Sequence, residues 1–397
     1  MELKSFIGLD EAIARARNFG PYQKSKVVPL LEAVGRFSYQ DVRSPSDFPP
    51  FDRSAVDGYA LNSKETISST KTNPSNFRMV GRIFPSSTKS FNLAEGEALR
   101  IATGSKVPKG ADAIVMLEDA SENDGKIQVF VPVRKYQNIS KKGEDLKKGF
   151  KILSRGERIY PPHVAALLEC GIEKIGIFSL SIGIISTGDE LVSRRVRNST
   201  QPMIQSYFLR KGFDAVSHGV IPDNQNVIEK ALDSIAEDII IVTGGTGPGE
   251  RDILPSLIEN SGRLVFRGLK IRPGRTTSFG VFKGKPVFMV SGLPVAALIA
   301  SENVILEMIH KWLGLRNEEK EHRSGLLGRS LVNTLGFRSF VRVKTMTKNG
   351  KTIVYPTRVT GSGVIYSMIG ADGILVMDEN TEGIEEGEIV NFEVLRW

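Results

Sequence analysis

The chain is poor in the residues that fix a fold covalently or hold a metal. Its 397 residues include one cysteine, Cys170. That excludes an intrachain disulfide and a multi-cysteine zinc site. The four histidines, His163, His218, His310 and His322, are scattered without metal-ligand spacing. So little cysteine suits a reducing compartment, and a cytoplasmic location is expected. No uninterrupted apolar run approaches the ~20 residues needed to span a bilayer. The N-terminus, M-E-L-K-S-F-I-G-L-D-E-A, lacks a basic stretch followed by an apolar core, so no signal peptide is expected. Nucleophilic triads are missing too: Ser186 and Ser291 fall in expected turns with no base beside them in sequence.

What is present is an ordinary globular composition, 40% hydrophobic and 25% charged. The length suggests two to four domains. The net charge is +8. Nucleic acid is one reading of that excess, but no helix-turn-helix, zinc-finger or aromatic-basic pattern accompanies it. An anionic small substrate accounts for it equally well.

The most informative stretch runs from Asp238 to Pro255, D-I-I-I-V-T-G-G-T-G-P-G-E-R-D-I-L-P. Ile239 to Val242 read as a buried strand of a parallel sheet. Gly244, Gly245, Gly247 and Gly249 then make a turn before Glu250, Arg251, Asp252 and a helix start. Glycine lets a backbone approach a ligand closely, and a helix N-terminus offers free N–H groups to an anion. The plainer alternative is a flexible strand-to-helix turn. The loop matches neither a Walker A pattern nor G-x-G-x-x-G.

Around this stretch the pattern is strand, loop, helix, repeated from Leu180 to Leu313, which predicts an open, mainly parallel α/β sheet. Upstream, Leu9–Arg17 has helical spacing, and Ser25–Asp41 continues as a helical or extended apolar segment. Pro45, Pro49 and Pro50 mark a crossing into a small β-rich insertion up to Val133. Pro161–Cys170 reads as a helix. Residues 320–397 alternate short β runs with turns, G-S-G-V-I-Y-S (Gly361–Ser367) among them. They predict a compact barrel or sandwich of about five strands. The expected domains are 1–43 with 138–177, 44–137, 178–318 and 319–397.

Glu190, Asp223 and Asp252 each lie just past an expected strand end. Parallel strands would bring all three carboxylates to one sheet edge, where such sheets bind ligands. Like charges repel, so the crowding needs a counter-charge. Mg²⁺ supplies one, since it takes one or two carboxylates together with substrate phosphates. Lys270, Arg272 and Arg275 add positive charge nearby in sequence. The residues alone therefore suggest metal-assisted work on a phosphoanhydride.

S-A-V-D-G-Y-A (Ser54–Ala60) resembles the S-A-M-D-G-Y-A signature of the molybdopterin molybdenumtransferases, the MoeA and gephyrin E-domain family. Further stretches agree in order: Arg100–Val115, G-E-D-L-K-K-G (Gly143–Gly149), S-T-G-D-E-L (Ser186–Leu191), Gly244–Asp252, S-G-L-P (Ser291–Pro294) and G-S-G-V-I (Gly361–Ile365). Together they span almost the whole chain. The resemblance implies a four-part fold: a discontinuous linker domain, a β insertion, an α/β molybdopterin-binding domain and a C-terminal β-barrel. It also implies a homodimer whose cleft is shared between subunits. The implied reaction takes adenylylated molybdopterin and molybdate (or tungstate) and releases AMP with Mg²⁺ assistance.

Position by position, the resemblance makes Glu190, Asp223 and Asp252 the metal and substrate carboxylates. Gly244, Gly245, Thr246, Gly247 and Gly249 would hold the pterin phosphate, and Lys270 and Arg275 the oxyanions. Pro294 and Ser362 would line the cleft. Asp57, Thr103 and Asp145 would reach in from the partner subunit. Three segments depart from the pattern. Val295-Ala296-Ala297 replaces Gly-Asn-Pro after S-G-L-P, Arg275-Thr276 replaces Lys-Pro, and Asn198-Ser199-Thr200 replaces D-S-N or D-T-N. These departures keep an alternative open: a non-catalytic or altered paralogue that binds molybdopterin or a partner as a scaffold.

Overall fold

The computed structural model describes residues 6–245, 253–317, 319–358 and 363–395. The chain divides into two compact units. One comprises Asp41–Ser154 and Pro161–Glu173; the other comprises Met1–Gln40, Arg155–Tyr160 and Lys174–Trp397.

The first unit is built on a six-stranded sheet. Its order is Ala113–Met116, Gly58–Leu61, Glu97–Ile101, Ser75–Ile83, Lys126–Val129, Ala120–Asn123. Alternation along the strands sends side chains to two cores. Tyr59, Leu61, Ala98 and Ile127 fill one; Ala60, Leu99, Ile101 and Ile114 fill the other. Gly58 is required by packing: a Cβ there would lie 1.9 Å from the Val115 carbonyl oxygen. The expected Pro161–Cys170 helix is present as Pro161–Glu169.

The second unit holds the expected open α/β sheet. Its order is Asp214–Ile221, Ser181–Thr187, Ile239–Thr243, Lys285–Val290, Ser278–Phe282, Gly262–Arg267. The first four strands are parallel, and Ser278–Phe282 runs antiparallel to both of its neighbours. Every residue of Ile239–Thr243 is buried. Ile239 and Ile241 join Ile182, Ile184, Phe208 and Val304 on one face. Ile240 and Val242 join Ile185, Ile228, Leu232 and Ile258 on the other. Burial on both faces explains the unbroken apolar run, and each such side chain stabilises the fold by about 1.5–3 kcal/mol. The expected long helix runs from Pro294 to Leu313 and includes a π-helical turn over Ser301–Ile305.

In the same unit, the N-terminal helix spans Leu9–Ala16, and the strand Lys24–Pro29 pairs with Lys174–Ser179. The C-terminal region closes a five-stranded barrel. Arg338–Lys348, Lys351–Arg358, His322–Leu327, Ile389–Val394 and Gly373–Met377 follow in order, and the last pairs back to the first. One expected strand is corrected here. Where Gly361–Ser367 reads as β, the described part is a short helix, Tyr366–Ile369. Ser367 turns its hydroxyl to the Val364 carbonyl, and Arg342 Nε donates to Ser367 Oγ. That local bonding outweighs the β preference of Val364, Ile365 and Tyr366. Among the described residues no helix is long and apolar enough to cross a membrane.

Candidate functional site

The strands Asp214–Ile221, Ser181–Thr187 and Ile239–Thr243 are adjacent and run the same way, so their carboxyl ends share one edge. The chain leaves Ser181–Thr187 toward one side of the sheet and Ile239–Thr243 toward the other. The crevice between those strand ends is the topological switch point, where open α/β sheets take their ligands. The segments that emerge there are Gly188-Asp189-Glu190, Pro222-Asp223-Asn224 and Gly244-Gly245.

One backbone bond and one bond to a side-chain carboxylate lock the first two together. Gly188 N donates to Ile221 O at 3.1 Å, and Asp223 N donates to Asp189 Oδ1 at 3.2 Å. Asp189 and Glu190 are exposed and Asp223 is half-buried. Burial raises the Asp223 carboxyl above the usual aspartate range; the Thr187 hydroxyl pulls it down, and Asp189 and Glu190 push it up again. Two of the three carboxylates expected here, Glu190 and Asp223, thus come to one edge. Asp252 lies outside the described residues, as do Thr246, Gly247, Gly249 and Ser362. Asp189 is an addition the sequence reading missed, although it precedes Glu190 in the same T-G-D-E-L run.

Asp223 does not cap the helix that follows. Asn224 does, its Oδ1 accepting from Asn226 N at 3.0 Å and Val227 N at 3.2 Å. A local structural reason for the aspartate is thereby removed.

A buried polar chain ties the strand ends together. Ser186 Oγ and Thr243 Oγ1 are 2.7 Å apart, and Asn198 Nδ2 donates to Ser186 Oγ at 3.1 Å and to Gln201 Oε1 at 2.8 Å. Gln201 Nε2 reaches the Ile184 and Gly219 carbonyls, and Thr200 Oγ1 donates to Gly292 O at 2.6 Å. The altered segment Asn198-Ser199-Thr200 therefore contributes two residues that position the crevice walls.

Gly244 and Gly245 have φ of 92° and 61°. A Cβ on Gly244 would meet the Thr187 carbonyl oxygen at 2.3 Å, and a Cβ on Gly292 would lie 3.5 Å from Gly244 Cα. Glycine here permits a close crossing of backbones as well as a turn. Pro294 begins the following helix, and Ala297 N donates to Leu293 O at 3.0 Å. Val295, Ala296 and Ala297 are fully buried on the core side. The departure at these three positions thus lies in packing, while the S-G-L-P turn stays in place.

Lys270 and Arg275 are exposed and sit on a hairpin in which Leu269 N donates to Arg275 O at 2.9 Å. A Cβ on Gly274 would lie 3.4 Å from Ala296 O, which places this hairpin against the start of the Pro294 helix. Among the described residues neither Lys270 nor Arg275 forms an ion pair. A cleft of about 930 Å³ elsewhere in this unit, with Leu9, Asp10, Lys311 and Arg338 in its walls, contains none of the expected site residues.

In the other unit, Asp57 Oδ1 accepts from Thr103 N at 2.7 Å and Thr103 Oγ1 at 3.0 Å. Those bonds, the backbone one first, hold its carboxyl below the usual range. Asp57 is nevertheless exposed, an ionised acceptor on a fixed bearing. Asp145 is also exposed and approaches Arg53 Nη2 at 3.9 Å. Tyr59 of the same D-G-Y-A run is structural, donating to Glu122 Oε2 at 3.0 Å from a buried position.

Among the described residues no three His, Cys, Asp or Glu side chains converge into a closed metal cage. Mg²⁺ does not need one, because substrate phosphates complete its shell. A hard oxygen donor set, with the Asp223 carboxyl raised by burial and then by the charges of Asp189 and Glu190, fits such an ion.

Three family models match the chain. Residues 7–171 match the MoeA N-terminal region (domains I and II), residues 183–311 a domain described as the "probable molybdopterin binding domain", and residues 325–395 the MoeA C-terminal region (domain IV). A protein of Methanocaldococcus jannaschii named for molybdopterin biosynthesis is 36% identical, over 94% of this chain and 93% of its own. The molybdopterin molybdenumtransferase of Bacillus subtilis is 29% identical, over 100% of this chain and 96% of its own. A crystal structure of the molybdopterin biosynthesis MoeA protein of Pyrococcus horikoshii superposes with a TM-score of 0.81 at 28% identity, covering 99% of this chain and 100% of that one.

Proposed function

The chain belongs to the MoeA family, and from that premise we propose that it serves molybdenum cofactor biosynthesis as a molybdopterin molybdenumtransferase. Its substrates on this reading are adenylylated molybdopterin and molybdate, and AMP is the nucleotide released. The observation that carries the reading is the carboxylate edge at the switch point, with Asp223 crowded by Asp189 and Glu190 and freed from helix capping by Asn224.

Glu190, Asp223 and Asp252 would hold Mg²⁺ there, with Asp189 beside them. Bound in that place, the ion would neutralise charge on phosphoanhydride oxygens. The chain's own residues do the rest. Gly244 and Gly245, with the loop behind them, admit the pterin phosphate close to the backbone. Lys270 and Arg275 supply positive charge for oxyanions, Arg by a forked contact and Lys as a point charge. Asp57, kept ionised by Thr103, accepts a hydrogen bond from the substrate, and Asp145 of the G-E-D-L-K-K-G run acts beside it. On this reading the protein is a cytoplasmic homodimer, and Asp57, Thr103 and Asp145 act on the edge of the partner chain. The four-part division at 43/44, 137/138, 177/178 and 318/319 belongs to the same proposal.

The test is an AMP-release assay with adenylylated molybdopterin, molybdate and Mg²⁺. Release that needs both molybdate and Mg²⁺ supports the proposal. Molybdopterin binding without AMP release refutes it and favours the scaffold alternative.

A further inference from the structure

The carboxylates at the switch point are followed at once by a run of opposite charge. Residues 192–197 read V-S-R-R-V-R, and Arg194, Arg195 and Arg197 are all exposed. Both ends of this loop are pinned to the strand edge. Val192 N donates to Gly188 O at 3.0 Å, Val196 N to Glu190 O at 3.2 Å, and Asn198 Nδ2 to Ser186 Oγ at 3.1 Å. Arg194 turns the chain back with a φ of 57°. A six-residue loop tied at both ends cannot carry its tip more than about 10 Å from its anchors. The arginines therefore stay within side-chain reach of the edge.

They do not neutralise it. Among the described residues none of the three arginine side chains makes an ion pair or a hydrogen bond, and neither do the carboxylates of Glu190 and Asp223 pair with a cation. Three guanidinium groups and the carboxylates of Asp189, Glu190 and Asp223 thus lie within one loop's length of each other without an ion pair among the described residues. A ligand that brings a cation to one set and an anion to the other would satisfy both. The magnesium complex of a phosphate ester has that charge pattern, and guanidinium is the side chain whose fork fits phosphate oxygens.

We propose that Arg194, Arg195 and Arg197 form an anion clamp over the carboxylate edge that receives the nucleotide-side phosphate of the substrate, the one that leaves in AMP. This rests on the reading of the site as a molybdenumtransferase centre, and it divides the anion binding. The glycine turn takes the pterin phosphate, and the arginine loop takes the adenylyl phosphate.

The experiment is calorimetric titration of AMP with Mg²⁺ into the full-length protein and into R194Q/R195Q/R197Q, at about 50 and about 200 mM salt. Thermal midpoints check folding, and the single variant R195Q provides a second measurement should the triple variant not fold. The expected result is an AMP Kd raised about tenfold or more in the triple variant, with the salt dependence of the native protein largely gone. R194K/R195K/R197K should retain the salt dependence and recover only part of the affinity. Equal AMP affinity and equal salt dependence in native protein and triple variant overturn the clamp. If native protein turns over while that equality holds, the clamp fails and the enzymatic reading stands. If native protein shows no turnover but binds AMP through these arginines, the enzymatic reading fails and the clamp stands as a nucleotide site.

Discussion

Replacing Asp223 by Asn separates a functional carboxylate from a structural one. The change keeps shape and removes one charge from an edge that carries three. Asp189 Oδ1 lies 3.2 Å from the Asp223 backbone nitrogen, so the two carboxylates stand on the order of 6 Å apart. At an effective dielectric constant near 40, unit charges at about that distance repel by about 1.4 kcal/mol. Solvent around the exposed Asp189 screens part of the repulsion, leaving an expected gain of about 1 kcal/mol at neutral pH. The sign follows from linkage. The folded carboxyl titrates above its unfolded value, so the native state holds the extra proton between the two, and stability falls as pH rises through that window. The advantage of Asp223→Asn should therefore be full above the folded value and vanish below the unfolded one, near the ordinary aspartate value of 3.8. Denaturant titrations at pH 7 and at about pH 3.5 measure this. Mg²⁺-dependent AMP release should fall at least ~100-fold, because a correctly held ion supplies several kcal/mol of charge stabilisation. Lower stability at pH 7 with unimpaired turnover would refute the reasoning and make Asp223 a scaffold residue.

Asn224→Ala removes both capping bonds to Asn226 and Val227, so it should cost about 1 kcal/mol in denaturant unfolding and spare turnover; loss of turnover with normal stability would contradict that. Gly58→Ala drives a Cβ toward the Val115 carbonyl, and its sheet should unfold at a distinctly lower midpoint by circular dichroism, whereas a native-like midpoint would show the strands free to part. Mixed dimers test the shared site: Asp57→Asn and Asp223→Asn chains, each inactive alone, should regain about a quarter of native AMP release when co-refolded in equal amounts. No recovery would place both groups on one chain.

Much of this architecture was legible because periodicity is local. Ile239–Val242 is apolar throughout because the sheet is covered on both faces, and the strand–loop–helix repeat is read from that pattern. The carboxylate edge was legible for the same reason: parallel strands put successive loop starts together, so Glu190 and Asp223 could be placed by counting from strand ends. Contacts between distant residues were not legible. Ser186 and Thr243 are 57 residues apart, and Thr200 reaches a carbonyl at Gly292. Such hydroxyl and amide pairs have no period, so Asn198 and Thr200 read only as departures from a motif. Asp189 was passed over because two adjacent acids cannot be ranked until the backbone shows which one turns toward Asp223. At Gly361–Ser367 the composition favours a strand, and the Ser367 hydroxyl settles the described part otherwise.

The glycine turn after Ile239–Thr243 has a plainer reading, a flexible connection, and Gly244→Ala decides between the two. In a flexible turn alanine narrows the unfolded ensemble and the site adapts, with stability changed by less than about 1 kcal/mol. Here the backbone is not free to adapt. Gly244 has φ of 92°, and its nitrogen donates to the Val290 carbonyl at 3.1 Å. A methyl group would press on the Thr187 carbonyl at 2.3 Å, and Gly292 stands on another side of the same residue. Relief requires moving the end of Ser181–Thr187, which carries Asp189 and Glu190, or the turn at Gly292, which Thr200 holds. Positive φ alone costs about 1–2 kcal/mol for alanine, and the backbone contact adds to it. Gly244→Ala should therefore lose about 3 kcal/mol or more in denaturant unfolding. Turnover should be lost even under conditions where the variant stays folded, because the strand ends it displaces are the ones that carry the carboxylates. A stable, active Gly244→Ala protein would mean that the backbones cross without constraint, and that the glycines of this turn carry no part of the site.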